Sequence, residues 1–386
     1  MLMLKTNLGT IIIFAVILTA GLMVAPAMPL AGPSEQVEKK RQACSSVIPE
    51  LKQLIRTTPS LKRQIEQALE IPSKRSYWYG KEIDDFVAFF EKWLVYNPLP
   101  EAPGKYVRPF DELANSGGGE ILFNNNIFSS WFIEFVDARG EYLKTAASSS
   151  TLDKWFAYQD VHIDEYEVPE NGFGSFNDFF LRKLRKGARP LDGRGDPSVI
   201  VSPADGSLCE IYAKNLDSNF KVKRDVINIR QTLNNSQYAE RFIGGKVFDI
   251  LLWFTDYHHF HAPVSGRIVE IGEYSGSYNY DFAHVDWYRQ LAKHKRTCYI
   301  IDSEKFGLVA MIPVGFWGVG SIISEVKTGD YIEKGQEMGH FGYGGSSILL
   351  VFEPGAVDMS LPVPVRQSGD EGYPVSVRQK IGKATK

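Results

Sequence analysis

Phe341-Gly342-Tyr343-Gly344-Gly345-Ser346-Ser347-Ile348-Leu349-Leu350-Val351-Phe352 joins a glycine-rich turn directly to an apolar run. The run Ile348–Phe352 is strand-length and built from β-branched, leucine and aromatic residues. Similar runs recur at Val199–Val201, Leu208–Tyr212, Val247–Trp253, Cys298–Asp302 and Leu308–Ile312, with Gly and Pro between them. Many short strands with few helices among them predict an antiparallel sheet system from about residue 197 onward.

Upstream the period changes. Leu51, Leu54 and Ile55 share helical spacing, and Ser60 is placed to cap a helix over Leu61–Leu69. Ile83, Phe86, Phe89, Phe90, Trp93 and Leu94 form a wide apolar stripe that stops before Asn97-Pro98. Ile127–Phe135 is apolar on most sides, and Ser116-Gly117-Gly118-Gly119 reads as a loop. An apolar helical stripe ordinarily faces a core, so these aromatics are expected to pack helix on helix rather than line a lipid or cofactor pocket. The expected fold class is α+β: a helical N-terminal domain over residues 34–160, then a β-rich catalytic domain over residues 161–386.

The first 33 residues stand apart. Lys5 precedes the apolar stretch Leu8–Ala27, about twenty residues, enough to cross roughly 30 Å of hydrocarbon as a helix. Ala25-Pro26-Ala27 also has the small-residue spacing of a cleaved export signal. Signal peptide and retained anchor both make the chain membrane-associated or exported, and the flanking Lys39-Lys40-Arg41 does not settle orientation. The chain as a whole has ordinary globular composition, 44% hydrophobic and 23% charged, which excludes disorder. With 43 Lys and Arg against 46 Asp and Glu the net charge is −3, which argues against nucleic acid as a partner. Cys44, Cys209 and Cys298 are too few and scattered for a disulfide framework or a zinc ribbon.

Histidine is scarce, yet Tyr257-His258-His259-Phe260-His261 holds three within four positions. No cysteine or carboxylate has the spacing that would complete a zinc site, so general acid–base work, with no metal, is the better reading. Strand alternation would put His259 and His261 on one face and His258 on the other. Ala262-Pro263 makes an irregular strand end plausible, since proline cannot donate to a sheet ladder and restricts the residue before it. Ser202-Pro203-Ala204-Asp205-Gly206 sits between two predicted strands, where Asp-Gly is an ordinary turn signal. Gly344-Gly345 before Ser346 removes Cβ obstruction on both sides of a carbonyl and permits a strained backbone. Asp, His and Ser in one domain also suggest a hydrolase triad, but the nucleophile-elbow pattern G-x-S-x-G is absent.

Taken in order, several stretches resemble the phosphatidylserine decarboxylase family, whose members make a pyruvoyl cofactor by self-cleavage. They are Phe176-Asn177-Asp178-Phe179-Phe180-Leu181-Arg182-Lys183-Leu184 with Gly187-Ala188-Arg189-Pro190, Ser202-Pro203-Ala204-Asp205-Gly206, and Tyr257 through Gly266. Pro313-Val314-Gly315 with Val319-Gly320-Ser321-Ile322 follows, then Lys334-Gly335 through Ser346-Ser347 to Phe352-Glu353-Pro354-Gly355. Together they cover roughly residues 170–360. The family's usual cleavage motif is Leu-Gly-Ser-Thr, where this chain has Gly344-Gly345-Ser346-Ser347. That variant, with a helical domain upstream, is similar to the branch that includes soluble fungal decarboxylases of free tryptophan.

The resemblance implies self-cleavage between Gly345 and Ser346, with Ser346 becoming a covalent pyruvoyl group and the released chain, residues 346–386, staying associated. It further implies His261 as the base for Ser346, Asp205 as the residue orienting His261, and His258 as the proton donor in turnover, with His259 structural or surface. Serine suits the step because only a side chain with a leaving heteroatom on Cβ permits both acyl shift and elimination. The implied reaction is conversion of phosphatidylserine to phosphatidylethanolamine with release of carbon dioxide. A free aromatic amino acid such as tryptophan is the alternative substrate, and a membrane-tethered β-rich binding module is the non-enzyme alternative. The basic run Arg182–Arg189 reads equally as a solvated helix end or as a contact for anionic headgroups.

Overall fold

The computed structural model describes residues 46–114, 116–213, 226–275, 294–315, 321–365 and 372–385. The signal or anchor expected over residues 1–33, Lys39-Lys40-Arg41, Cys44 and the pair Val319-Gly320 lie outside the described residues. Among the described residues no helix is long and apolar enough to cross a membrane.

A helix over residues 46–57 opens the described chain and is followed by Pro59–Glu70, Ile83–Leu94, Val107–Ala114, Gly117–Phe123 and Asn126–Leu143. The second helix starts earlier than its apolar pattern, because proline is tolerated in a first turn. Thr58 occupies the cap position, so Ser60 lies inside the helix and caps nothing. Ile83–Leu94 has the bounds of the apolar stripe, with Glu82 and Asp85 forming a reciprocal capping box at its start. At its end the buried Arg139 donates to Leu94 O at 2.9 Å and to Tyr96 O, satisfying carbonyls that the helix leaves free.

The glycine run expected as a loop is helical from Gly117 onward. A Cβ on Gly118 would lie 2.4 Å from Ala68 Cα, and one on Gly119 would lie 2.0 Å from Ala114 O. These glycines let two helix backbones touch, and packing outweighs the roughly 1 kcal/mol per residue that glycine costs a helix. Phe86, Phe90, Trp93, Phe110, Phe128, Trp131, Phe132 and Phe135 fill one buried cluster, with Phe110 stacked on Phe132 at 4.6 Å. The aromatic stripes are thus core, each buried ring stabilising by about 1.5–3 kcal/mol over an exposed one.

The β-rich part is built on a sheet whose strands run Tyr331–Ile332, Gly266–Tyr274, Lys295–Ser303, Gly307–Gly315, Ser346–Phe352, Val247–Leu252, Gly206–Ala213 and Tyr373–Val375. With its helices upstream and this antiparallel sheet downstream, the molecule is α+β. Ser346–Phe352 is buried throughout and pairs antiparallel on both sides, with Ser346 opposite Gly315 on one flank and Leu252 on the other. Its even-numbered residues Ile348, Leu350 and Phe352 enter one core with Ala204, Phe260, Ala262 and Phe341. Its odd-numbered Leu349 and Val351 enter a second core with Val247, Ile300 and Ile312. A small sheet, His259–His261 with Glu337–Phe341 and Ile322–Ser324, lies on the first of these faces through Phe260, Met338 and Phe341.

Candidate active site

Alternation along Ser346–Phe352 separates the two serines. Ser346 shares the face of Ile348 and Leu350, toward the histidine-bearing small sheet, and Ser347 shares the face of Leu349. The Ser347 hydroxyl is committed there: it donates to the buried Asp249 carboxylate and lies 3.2 Å from Ile250 O. Ser346 is fully buried and its Oγ has no hydrogen-bond partner among the described residues. A hydroxyl left in that state costs the fold a desolvation penalty of about 1–3 kcal/mol and remains free to react. Gly344 sits at φ 151°, which L side chains rarely adopt, so the chain reaches the Gly345 carbonyl through a glycine-only turn.

His258 precedes the regular strand, which begins at His259, so the expected irregular strand end is present. Its ring is fully buried and stacked on Phe180 at 4.0 Å. Nε2 lies 3.0 Å from Trp253 O, so that nitrogen carries the proton and Nδ1 keeps its lone pair, buried and without a partner. Burial, seconded by the Arg182 charge, pulls His258 down to about 3, and the imidazole is neutral. Trp253 directly follows Leu252, the residue paired with Ser346, so His258 is anchored beside the cleavage segment.

His261 lies in the strand with its Nδ1 2.9 Å from Gly335 O and its Nε2 3.3 Å from the Tyr257 hydroxyl. The Gly335 carbonyl fixes the proton on Nδ1 and leaves the lone pair on Nε2, the tautomer that a general base needs. Burial pulls His261 down to about 4, opposed by that same hydrogen bond. No hydrogen bond among the described residues joins Ser346 to either histidine, or Asp205 to His261. Asp205 receives a two-pronged contact from Arg189, at 3.2 and 2.9 Å, and the Val377 N–H at 2.7 Å. It meets the histidine strand through the backbone, where His261 N–H donates to Pro203 O at 2.8 Å. His259 is buried rather than at the surface: its Nδ1 meets Glu337, and Nε2 lies 3.1 Å from Leu181 O.

Within the basic run Arg182 is buried and Arg189 half-buried, while Lys183, Arg185 and Lys186 are exposed. Arg182 is buried, with Nη2 donating to Thr255 O at 2.5 Å and its guanidinium 4.2 Å from the Tyr166 ring. Arg185 donates to Tyr166 O, and Arg189 ties Glu165 to Asp205. Arg182 and Arg189 are thus engaged within the protein, while Lys183, Arg185 and Lys186 face solvent. No group of three His, Cys, Asp or Glu side chains that could hold a metal ion occurs among the described residues.

A cavity of about 570 Å³ adjoins the site, lined among others by Arg189, Asp205, Trp253, Thr255 and Asp256. Burial raises the Asp256 carboxyl to about 7, against a lowering hydrogen bond from Trp253 N–H. The folded state therefore holds a proton there that the unfolded chain releases near pH 4. Stability from this group is present below about pH 4 and is lost as pH rises through about 7. Asp256→Asn is expected to gain on the wild type by about 1–2 kcal/mol between pH 5 and pH 8, a partial effect because the carboxyl borders an open cavity. Thermal melts of both proteins across that range check it, and parallel curves would refute it.

Residues 176–383 match the family model described as phosphatidylserine decarboxylase. A phosphatidylserine decarboxylase proenzyme of Fusobacterium nucleatum is 32% identical over 254 residues, covering 65% of this chain and 80% of the relative. One of Clostridium novyi is 31% identical over 265 residues, covering 68% and 87%. Proenzyme 3 of Schizosaccharomyces pombe is 32% identical over 209 residues, 54% of this chain but 22% of that longer protein. A buried serine after a glycine-only turn, two buried histidines held by backbone carbonyls, and these matches agree: the chain belongs to the phosphatidylserine decarboxylase family.

Proposed function

We propose that this chain is a self-processing decarboxylase that converts phosphatidylserine to phosphatidylethanolamine and carbon dioxide, working at a membrane surface. The observation that carries the reading is Ser346: buried, unpartnered at Oγ, and reached through Gly344 at φ 151°. In maturation Oγ attacks the Gly345 carbonyl carbon and gives its proton to a base, for which we propose His261 Nε2. The Gly345–Ser346 C–N bond breaks as the base passes that proton to the departing Ser346 nitrogen, leaving an ester and a free amine. Loss of the Ser346 α-hydrogen then expels Gly345 as a carboxylate, and water replaces the nitrogen as ammonia. Asp205 supports this arrangement through Arg189 and the backbone about Pro203 rather than by direct contact with the imidazole.

The residues fit a pyruvoyl group at position 346, since Ser346 is buried, two glycines without side chains precede it, and Ser347 anchors the following position to Asp249. That group supplies a ketone that takes up the substrate amine and draws off the electron pair of the departing carboxylate. His258, neutral and with an open Nδ1, takes up a proton and returns it beside residue 346. The cavity beside Trp253 is where we place the headgroup, and its volume suits a small polar ligand. The names of the relatives support the phospholipid over a free aromatic amino acid and over a binding module.

Two measurements test this. A denaturing gel of purified protein should show residues 346–386 as a separate small chain, which a binding module would not release. Offered phosphatidylserine in vesicles, free serine and tryptophan, the protein should release carbon dioxide from the first. Release from tryptophan instead would overturn the substrate assignment and leave the processing intact.

A further inference from the structure

Tyr343 lies two residues before Gly345, yet its side chain belongs to a different part of the molecule. Its hydroxyl donates to Pro103 O at 3.1 Å, in the connection that follows the Ile83–Leu94 helix. Its ring packs edge-on against Phe176 and Phe180, both at 5.1 Å, and against Phe254 at 5.6 Å. Burial holds the phenol protonated, so it acts as a donor. The receiving segment is itself braced, because Thr151 Oγ1 and Trp155 Nε1 both donate to Pro98 O, at 2.8 and 2.9 Å. Asn97 donates to Ala147 O at 2.9 Å and accepts from the Tyr142 hydroxyl at 2.8 Å. None of these acceptors and braces lies within the family match at 176–383.

On the other side of the scissile bond, Ser346 is fixed by strand pairing on both flanks. Only Gly344 and Gly345 span the gap between the two anchors. We propose that the helical region is a clamp on the cleavage segment, with Tyr343 as the positioning residue that holds the Gly345 carbonyl against Ser346 Oγ during self-cleavage. The proposal rests on the self-processing reading above. The clamp works by restricting the two glycines, which otherwise have more conformational freedom than any other residues and would seldom present the carbonyl in line. Phe180 extends the same contact to His258, since it stacks on that imidazole and meets the Tyr343 ring. Because Tyr343 stays on the N-terminal side of the cut, the clamp also retains the new chain end after cleavage.

Tyr343→Phe keeps the ring and removes only the hydrogen bond to Pro103 O. Self-cleavage of freshly translated full-length chain is followed by gel, and turnover on phosphatidylserine vesicles is divided by the pyruvoyl content, counted by mass spectrometry of the small chain. Maturation should slow by about 2- to 12-fold, the factor that one neutral hydrogen bond represents. Turnover per mature site should stay within about twofold, and Tyr343→Leu, which also loses the ring packing, should mature more slowly still. Maturation of Tyr343→Phe at the wild-type rate would overturn the clamp while leaving self-processing intact. A lowered melting temperature with both rates reduced together would also overturn it, making the hydroxyl a general stabiliser. A wild-type chain that never cuts would overturn both readings.

Discussion

Ser346→Ala is expected to remain a single chain on a denaturing gel and to release no measurable carbon dioxide from phosphatidylserine. The acyl shift needs an oxygen on Cβ and the elimination needs that oxygen to leave, so alanine stops the sequence at its first step. Ser347 is no substitute. Its hydroxyl lies on the opposite face of the strand and is committed to Asp249 and Ile250 O. The variant should also be at least as stable as the wild type, by up to about 1–3 kcal/mol, because it removes a buried hydroxyl that has no partner. Loss of cleavage with an unchanged or raised melting temperature would therefore be a chemical defect and not misfolding. A Ser346→Ala chain that still cuts at this position would remove Ser346 as the nucleophile.

His261→Ala should fail to mature, whereas His258→Ala should mature to two chains and then decarboxylate poorly. The two imidazoles differ in what holds them. Gly335 O fixes the His261 tautomer with its lone pair on Nε2, and the Tyr257 hydroxyl that meets that nitrogen at 3.3 Å is a long, easily released contact. Burial depresses both imidazoles, so each is neutral and has a lone pair to offer a proton. His258 is stacked on Phe180 and bonded to Trp253 O, in the residue after the Leu252 that pairs with Ser346, which is the basis for assigning it proton delivery. Loss of a general base or acid typically costs about 10²–10⁴-fold, so each defect should be plain on its own step. Separate rates of chain cleavage and of turnover per pyruvoyl decide the matter. Normal maturation of His261→Ala, with arrest of His258→Ala, would transfer the base to His258 Nδ1.

Much of this was legible in the residues because the signals are local. The stripe from Ile83 to Leu94 and its stop at Asn97-Pro98 follow from a 3.6-residue period and proline sterics. The β-branched runs at Val199, Val247 and Ile348 mark strands within a residue or two of their ends. Ser346 stood out because two glycines and a strand frame it, while the exclusion of His258 from the regular strand is seen only in the fold. Helicity over Gly117–Phe123 was not legible, since it depends on the Ala68 backbone some fifty residues away.

By itself the sequence determined the α+β class, with helices upstream and strands downstream, and it marked candidate serines and histidines. Those rest on side-chain types and periods, which a chain carries wherever it folds. Only the tertiary structure decided which serine is free, that Asp205 grips Arg189 rather than His261, and that Tyr343 reaches Pro103. The physical reason is that the decisive acceptors are backbone carbonyls: Gly335 O, Trp253 O, Pro103 O. Every residue owns one, so composition and spacing do not mark which carbonyl a distant side chain will find, and only the packing of the sheet and helices brings that pair together.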